Sequence, residues 1–224
     1  YTNTYADVAS LSELYGSALA EPDVIGLSVG TRPDCVPDAV LDLLCRYRDL
    51  GHEVWLELGL QSAFDDTLAL VNRGHYFSEY IDAVHEARAR GLKVCTHLIV
   101  GLPGEGPQHA KTTLARVLEL GVDGLKLHPL HVVKGTLLAN QWRRGGYRPW
   151  ALDDYLETAA DLVELTPPHV VYLRLTGTAS PRILLAPEWC RHKWRVIDGI
   201  AETLARRGTC QGSALTQQPC MGGL

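Results

Sequence analysis

The sequence predicts an α/β fold built on parallel strands, and two observations carry this prediction. Short apolar runs rich in β-branched residues alternate with amphipathic helical segments, and successive runs begin about 30 to 45 residues apart. That spacing is typical of βα units whose right-handed crossovers build a parallel sheet or a barrel. The chain has 224 residues, of which 46% are hydrophobic, and this is enough to bury one sizeable core.

Five segments are predicted to be strands because each is almost continuously apolar, as strands covered on both faces must be. They span residues 24–29, 54–58, 94–100, 125–130 and 170–175. Helix signals separate them: Pro37 and Asp38 begin a helix that Gly51 ends, and Gly91 and Gly121 end two more. The sequence therefore predicts one barrel domain over residues 1–177. An irregular extension over residues 178–224 follows, with one helix at about 195–207.

The charge of the chain is unevenly distributed around a net value of -5. Residues 1–125 carry 9 Lys and Arg against 18 Asp and Glu, whereas residues 126–224 carry 12 against 8. The basic second half could bind a polyanion, or it could simply balance the acidic half. No apolar run reaches the roughly eighteen residues of a membrane span, so we expect no membrane partner. The opening YTNTYADVAS has neither an initiator Met nor a signal peptide, and we expect the natural start to lie upstream.

The cysteines are widely and irregularly spaced, and no CxxC motif occurs. Few cysteines in a chain of this length favour a reducing, cytoplasmic location over a secreted disulfide framework. The spacing also contains no evident cluster or zinc motif. The six cysteines are Cys35, Cys45, Cys95, Cys190, Cys210 and Cys220.

Polar residues follow four of the predicted strands, where parallel β/α folds bind their ligands. The four motifs are GTRPD at 30–34, ELGLQS at 57–62, THLIVGLPGE at 96–105 and KLHPLHVVKG at 126–135. Because the carboxyl ends of these strands meet at one rim, we expect the side chains of the motifs to converge there. No residue is assigned a catalytic role from the sequence.

Glu57, Gln61 and Arg73 are candidates from the second motif and the segment after it. A carboxylate inside a strand needs a partner, so Glu57 either contacts a ligand or forms a structural ion pair. Gln61 can offer an amide to a polar ligand from the turn after the strand. Arg73 suits a carboxylate, which its guanidinium can hold bidentately, although spacing alone favours helix capping.

His97, Lys126, His128 and Lys134 are candidates from the third and fourth motifs. His97 lies in an apolar strand, where a histidine usually bonds the backbone. Lys126 and His128 are two residues apart and therefore share one face of their strand, with Lys134 just beyond it. Lys126 could be a Schiff-base nucleophile, an anchor for phosphate or carboxylate, or the buried partner of Glu57.

Taken in order, six strings of this sequence resemble one family. They are GLSVGTRPDCVPDAVLDLL, EVWLELGLQSAFDDTL, NRGHYF, THLIVGLPGE, GVDGLKLHPLHVVKGT and LLAPEWC, which cover nearly the whole chain. Together they are similar to the YhcC-like radical S-adenosylmethionine (SAM) proteins, relatives of Elongator subunit 3. The resemblance implies a partial parallel (β/α)6 TIM-like barrel in which a [4Fe-4S] cluster cleaves SAM reductively.

The resemblance also implies which residues hold the cofactor. Gln61 and Arg73 would contact polar groups of SAM, with Arg73 near its carboxylate, and Glu57 and His97 would lie along the same site. Thr2 and Asn3 would lie at the end of the second barrel strand, with Gly30 and Thr31 at the rim of the third. Lys126, His128 and Lys134 are then left to bind the substrate.

The cysteines of the cluster are expected upstream of Tyr1, because such clusters need three closely spaced thiolates after the first strand. On this interpretation the chain lacks the first strand and most of the second, and would be inactive alone. The substrate implied is a tRNA wobble uridine, with flavodoxin or ferredoxin as the electron donor. Two alternatives stay open at this point: a non-radical barrel lyase that uses Lys126, and a non-catalytic RNA-binding domain.

Overall fold

The computed structural model describes residues 3–215 and contains seven strands within them. Five of these strands form one parallel sheet in the order β1-β2-β3-β4-β6, so each strand pairs with the next one along the main sheet. This confirms the predicted α/β barrel type. The strands are β1 Gly26–Thr31, β2 Glu53–Gln61, β3 Lys93–Val100, β4 Gly124–Pro129, β5 Val132–Val133, β6 Val171–Arg174 and β7 Leu184–Ala186.

Helices connect the strands as the crossover rule requires. The predicted helix after Pro37 is confirmed: it starts at Asp38, ends at Asp49, and is followed by Gly51 with a φ of 95°. A left-handed φ of this kind favours glycine, which explains why the chain turns there. The helices are α1 Val8–Leu19, α2 Asp38–Asp49, α3 Asp65–Leu70, α4 Phe77–Ala89, α5 Pro107–Leu118, α6 Leu137–Arg143, α7 Leu152–Glu164 and α8 Lys193–Arg207.

The two faces of the sheet differ in polarity. On β2, Leu56, Leu58 and Leu60 are fully buried in the hydrophobic core together with buried residues of the helices. Their neighbour Glu57 points to the opposite face, because side chains alternate along a strand. The core therefore lies between sheet and helices, and the polar residues of the strands face the interior of the barrel.

The segment after residue 177 contains β7 and α8. β7 pairs antiparallel with β5, and this two-stranded sheet follows directly on the carboxyl end of β4. Helix α8 confirms the helix predicted at about 195–207, and its Arg207 bonds the carboxylates of Asp161 and Glu164 on α7. A domain boundary at residue 177 stays a prediction.

No helix among residues 3–215 combines the length and the apolar character that crossing a membrane requires.

Candidate functional site

The strand register places the candidate residues in two neighbouring rows. Gly30 on β1 is level with Glu57 on β2, and His97 on β3 is level with Lys126 on β4. Because these strands run in parallel, their carboxyl ends and the motifs after them share one edge of the sheet. The predicted convergence of side chains is observed for Glu57, His97 and Lys126, which meet at the Glu57 carboxylate.

Glu57 is the buried residue at the centre of a polar cluster. Only 6% of its surface is exposed, and it accepts hydrogen bonds from the Ser28 hydroxyl and from Lys126 Nζ, which contacts both carboxylate oxygens. His97 Nε2 lies 2.7 Å from Glu57 Oε2. Of the roles left open for Lys126, the structure shows the buried partner of Glu57. The expectation that His97 bonds the backbone is wrong, because β2 offers it a carboxylate at hydrogen-bond distance.

The cluster keeps the Glu57 carboxyl group ionised. Burial acts to raise its pKa, but the hydrogen bonds from His97, Lys126 and Ser28 outweigh burial and lower the pKa from 4.5 to about 2. A carboxylate with several donors in a buried setting is held in one orientation. The interior of the barrel therefore has a fixed negative charge that is matched by Lys126.

His128 and His131 lie above this cluster and have unused hydrogen-bonding capacity. Within residues 3–215, the Nε2 atoms of both rings are buried and have no hydrogen-bond partner. Burial and the neighbouring His97 lower the pKa of His128 to about 4, and burial also lowers the pKa of His131. Both rings are therefore neutral near pH 7. Unpaired buried nitrogens are costly, and a bound ligand is one way to satisfy them.

The carbonyl of Gly59 is the second focus of the site, at the end of β2. It accepts from Arg73 Nε at 3.2 Å and from Arg73 Nη2, and His75 Nε2 lies 3.2 Å away. A Cβ on Gly59 would lie 2.6 Å from Arg73 Nη2 and 2.9 Å from Gln61 Nε2, so a larger residue there would displace the ends of both side chains. Gln61 closes β2 with a φ of 81° at a shift in the register with β3.

This geometry bears on the role predicted for Arg73. Its side chain does not cap a helix; it donates hydrogen bonds to the Gly59 carbonyl near the end of β2. The Nε and Nη2 edge of the guanidinium is occupied by the Gly59 carbonyl, which leaves Nη1 for a ligand. Burial and the charge of Arg32 lower the pKa of Arg73, so two cations lie near this rim. A carboxylate arriving here would meet positive charge.

His75 is a residue of this site that the sequence interpretation missed. It is buried with 3% exposure, and both ring nitrogens lie 3.2 Å from backbone carbonyls, those of Gly59 and Tyr76. The signal was present in NRGHYF, where a histidine directly follows the Arg-Gly pair. Nothing in a single sequence shows that this ring folds back on a residue sixteen positions earlier.

The remaining predicted residues lie at the β1 edge or away from the cluster of Glu57, His97 and Lys126. The Asn3 N–H donates to the Gly30 carbonyl at 3.4 Å, and Thr31 is buried against Thr4, with their hydroxyl oxygens 2.6 Å apart. A Cβ on Gly30 would have nothing within 4 Å, so the space there is open. Thr2 lies outside the described residues. The exposed Lys134 does not join Lys126. Its backbone N–H donates to the Ile183 carbonyl beside the β5–β7 sheet.

Metal-ligating side chains do not cluster in the part of the chain that the structure describes. Among residues 3–215, no three His, Cys, Asp or Glu side chains are placed to hold a metal ion. Cys35, Cys45, Cys95 and Cys190 belong to separate segments of the fold. An iron–sulfur cluster therefore does not fit the described residues.

Comparison with known proteins gives a consistent result. The family profile described as the radical SAM superfamily matches residues 1–117, and the radical SAM C-terminal domain matches residues 122–206. The chain is 53% identical over 215 residues to Protein YhcC of Escherichia coli K12, covering 96% of this chain and 69% of that protein. It is 38% identical over 154 residues to the tRNA uridine(34) acetyltransferase of Dehalococcoides mccartyi, covering 67% and 33%.

One solved structure has the same architecture. The archaeal Elp3 of Methanocaldococcus infernus superposes with a TM-score of 0.73 at 23% identity, over 84% of this chain and 43% of that one. At this identity the likeness concerns the fold, and it agrees with the parallel sheet described above.

Proposed function

The chain belongs to the YhcC-like group of the radical SAM superfamily, and from this we propose that its protein is a radical SAM enzyme that modifies a tRNA wobble uridine. The observation that carries the proposal is the rim around Gly59. A cation and an amide lie there near the end of β2, and the neighbouring β1 backbone is open at Gly30, on the side of the sheet where a β/α barrel binds its ligand.

The described residues match the polar groups that SAM presents. Arg73, through Nη1, would hold the methionyl carboxylate, because a charge-assisted hydrogen bond is stronger than a neutral one. Gln61, whose amide lies beside Arg73 at Gly59, would bond a second polar group. The open space at Gly30 lets a ligand approach the β1 backbone. The predicted contacts of Thr2, Asn3, Thr31, Glu57 and His97 complete the proposed site.

Bound SAM, together with a [4Fe-4S] cluster, supplies a 5′-deoxyadenosyl radical, and that chemistry belongs to the cofactors. The protein's own residues position the ligand and exclude water. The fully buried Leu56 and Leu58 lie on the face of β2 opposite Glu57, and the Glu57–Lys126 pair is shielded from solvent. No residue among 3–215 is assigned to the cluster.

The substrate would enter beside the imidazoles of His128 and His131. Their unpartnered Nε2 atoms can bond the edge of a base, and the exposed Lys134 would face its phosphates. Two observations support a tRNA substrate. One relative is named tRNA uridine(34) acetyltransferase, and residues 126–224 of this chain are basic. Flavodoxin or ferredoxin would supply the electron, and the cytoplasm is the compartment where both tRNA and such donors occur.

A direct test incubates the product of the complete reading frame with SAM, a reductant and tRNA under anaerobic conditions. We expect release of 5′-deoxyadenosine and a change in the mass of the nucleoside at the wobble position. Boiled protein is the control. Release of 5′-deoxyadenosine without any change in tRNA would keep the enzyme class and reject the substrate, and release of neither product would reject both.

A further inference from the structure

The start of α8 carries an exposed cationic run with an unburied tryptophan. All five side chains of Arg191, His192, Lys193, Trp194 and Arg195 are exposed, and Trp194 is 70% exposed. They line an open groove of about 500 Å³. A large exposed indole has no role in the core, and the buried residues of this helix lie further along it at Val196, Ile200 and Thr203.

The cations of this run are not used to hold the fold together. No ion pair within residues 3–215 involves Lys193 or Arg195, and Lys193 Nζ lies 5.4 Å from the centre of the Trp194 ring. Arg191 donates only to the backbone carbonyl of Leu184. Glu188 and Asp198 flank the run without forming an ion pair with it. The positive charge therefore remains available to a partner.

The run is connected to the rim of the barrel through a series of contacts. Trp189, just before it, donates from Nε1 to the carbonyl of Trp150 at 3.1 Å. The Trp150 ring in turn lies beside Gly101, directly after the carboxyl end of β3; a Cβ added to Gly101 would be 3.3 Å from the ring. The groove is thus attached to the same edge of the sheet as the candidate site.

We propose that this groove, lined by residues 191–195, binds a single-stranded segment of RNA. The cations would neutralise phosphates, and a base would stack on the Trp194 indole, since every base has a π-face and an exposed aromatic ring is a general stacking surface. An unpaired segment is required because bases in a duplex are already stacked. The proposal rests on the proposed function only in taking RNA as the substrate class.

The test measures fluorescence anisotropy of a labelled single-stranded RNA of about 12 nucleotides with the full chain. Trp194→Leu is expected to weaken binding about five- to a hundredfold, whereas Trp194→Phe keeps a stacking ring and most of the affinity. Leu137→Ala is the matched control, because Leu137 is 72% exposed on α6 and lies outside the groove. Melting curves confirm that each variant is folded.

Salt dependence tests the role of the cations. Three neutralised phosphates predict a slope of about -2 for the logarithm of affinity against the logarithm of salt concentration, and Arg195→Gln should reduce its magnitude by about 0.7. Arg46→Gln removes one exposed charge from α2 and should leave the slope unchanged. Equal binding by the wild type and Trp194→Leu would overturn the proposal. A Trp194 dependence found with anionic lipid vesicles but not with RNA would overturn it as well.

A parallel titration of SAM separates the two proposals. RNA binding that does not depend on residues 191–195, in a protein that binds SAM, rejects the groove and leaves the proposed function standing. RNA binding that depends on Trp194, in a protein with no affinity for SAM, supports the groove and rejects the SAM site.

Discussion

Replacing Lys126 with methionine is expected to lower the free energy of unfolding by about 3 to 5 kcal/mol. The substitution removes the cation that contacts both oxygens of Glu57, and leaves a carboxylate that is 6% exposed with only His97 and Ser28 as partners. Leaving a buried charge without its counter-ion costs far more stability than replacing both members of the pair by apolar residues. Denaturant unfolding followed by circular dichroism at pH 7 measures the difference.

Two further variants make this result specific. Glu57→Leu combined with Lys126→Met should recover most of the lost stability, because no buried charge is left. Lys93→Met breaks the Lys93–Glu53 ion pair between β3 and β2, where both side chains are about half exposed, and should cost under about 1 kcal/mol. A loss for Lys126→Met no larger than that for Lys93→Met would contradict the buried ion pair.

The ion pair also predicts how stability depends on pH. Glu57 has a pKa of about 2 in the folded protein against 4.5 for the ordinary carboxyl group, so its contribution is fully present above pH 4.5. It is lost as the pH falls through about 2, and a depression of this size corresponds to about 3 kcal/mol. The measurement compares the free energies of unfolding of the wild type and Glu57→Gln. The variant lacks the titrating group, and the contributions of the other carboxyl groups cancel in the difference.

We expect the stability difference between the wild type and Glu57→Gln to shrink by about 3 kcal/mol between pH 5 and pH 2. Asp7→Asn is the matched control, because Asp7 is an exposed helix cap whose pKa is lowered by its bonds to Ser10. A difference for Glu57→Gln that stays constant over this range would show that the carboxyl group titrates alike in the folded and unfolded chain.

The elements that could be predicted from the sequence are those governed by local patterns. The strand predicted at 94–100 is found at Lys93–Val100, because its apolar run lies between Gly91, which follows the preceding helix, and Gly101. The helix starting after Pro37 was predictable for the same reason. The strand predicted at 24–29 is found two residues later, at Gly26–Thr31, since its start depends on pairing with β2.

Contacts between distant residues could not be predicted in the same way. Glu57 and Lys126 are 69 positions apart, and three roles for Lys126 stayed open until the register of β2, β3 and β4 fixed their distance. The bonds of Arg73 and His75 to the Gly59 carbonyl depend on the irregular end of β2. The short pairing of β5 with β7 has no periodic signal, because these strands contain two and three residues.

In the proposed function, the Gly59 rim binds SAM through Arg73 and Gln61. Calorimetric titration of SAM into the protein tests it most directly. We expect Arg73→Ala to weaken SAM binding by about 1.5 to 3 kcal/mol, roughly ten- to a hundredfold, and Gln61→Ala to cost less because it removes a neutral hydrogen bond. If both variants bind SAM as the wild type does and only their melting temperatures fall, Arg73 serves to hold the Gly59 carbonyl and the assigned site is wrong.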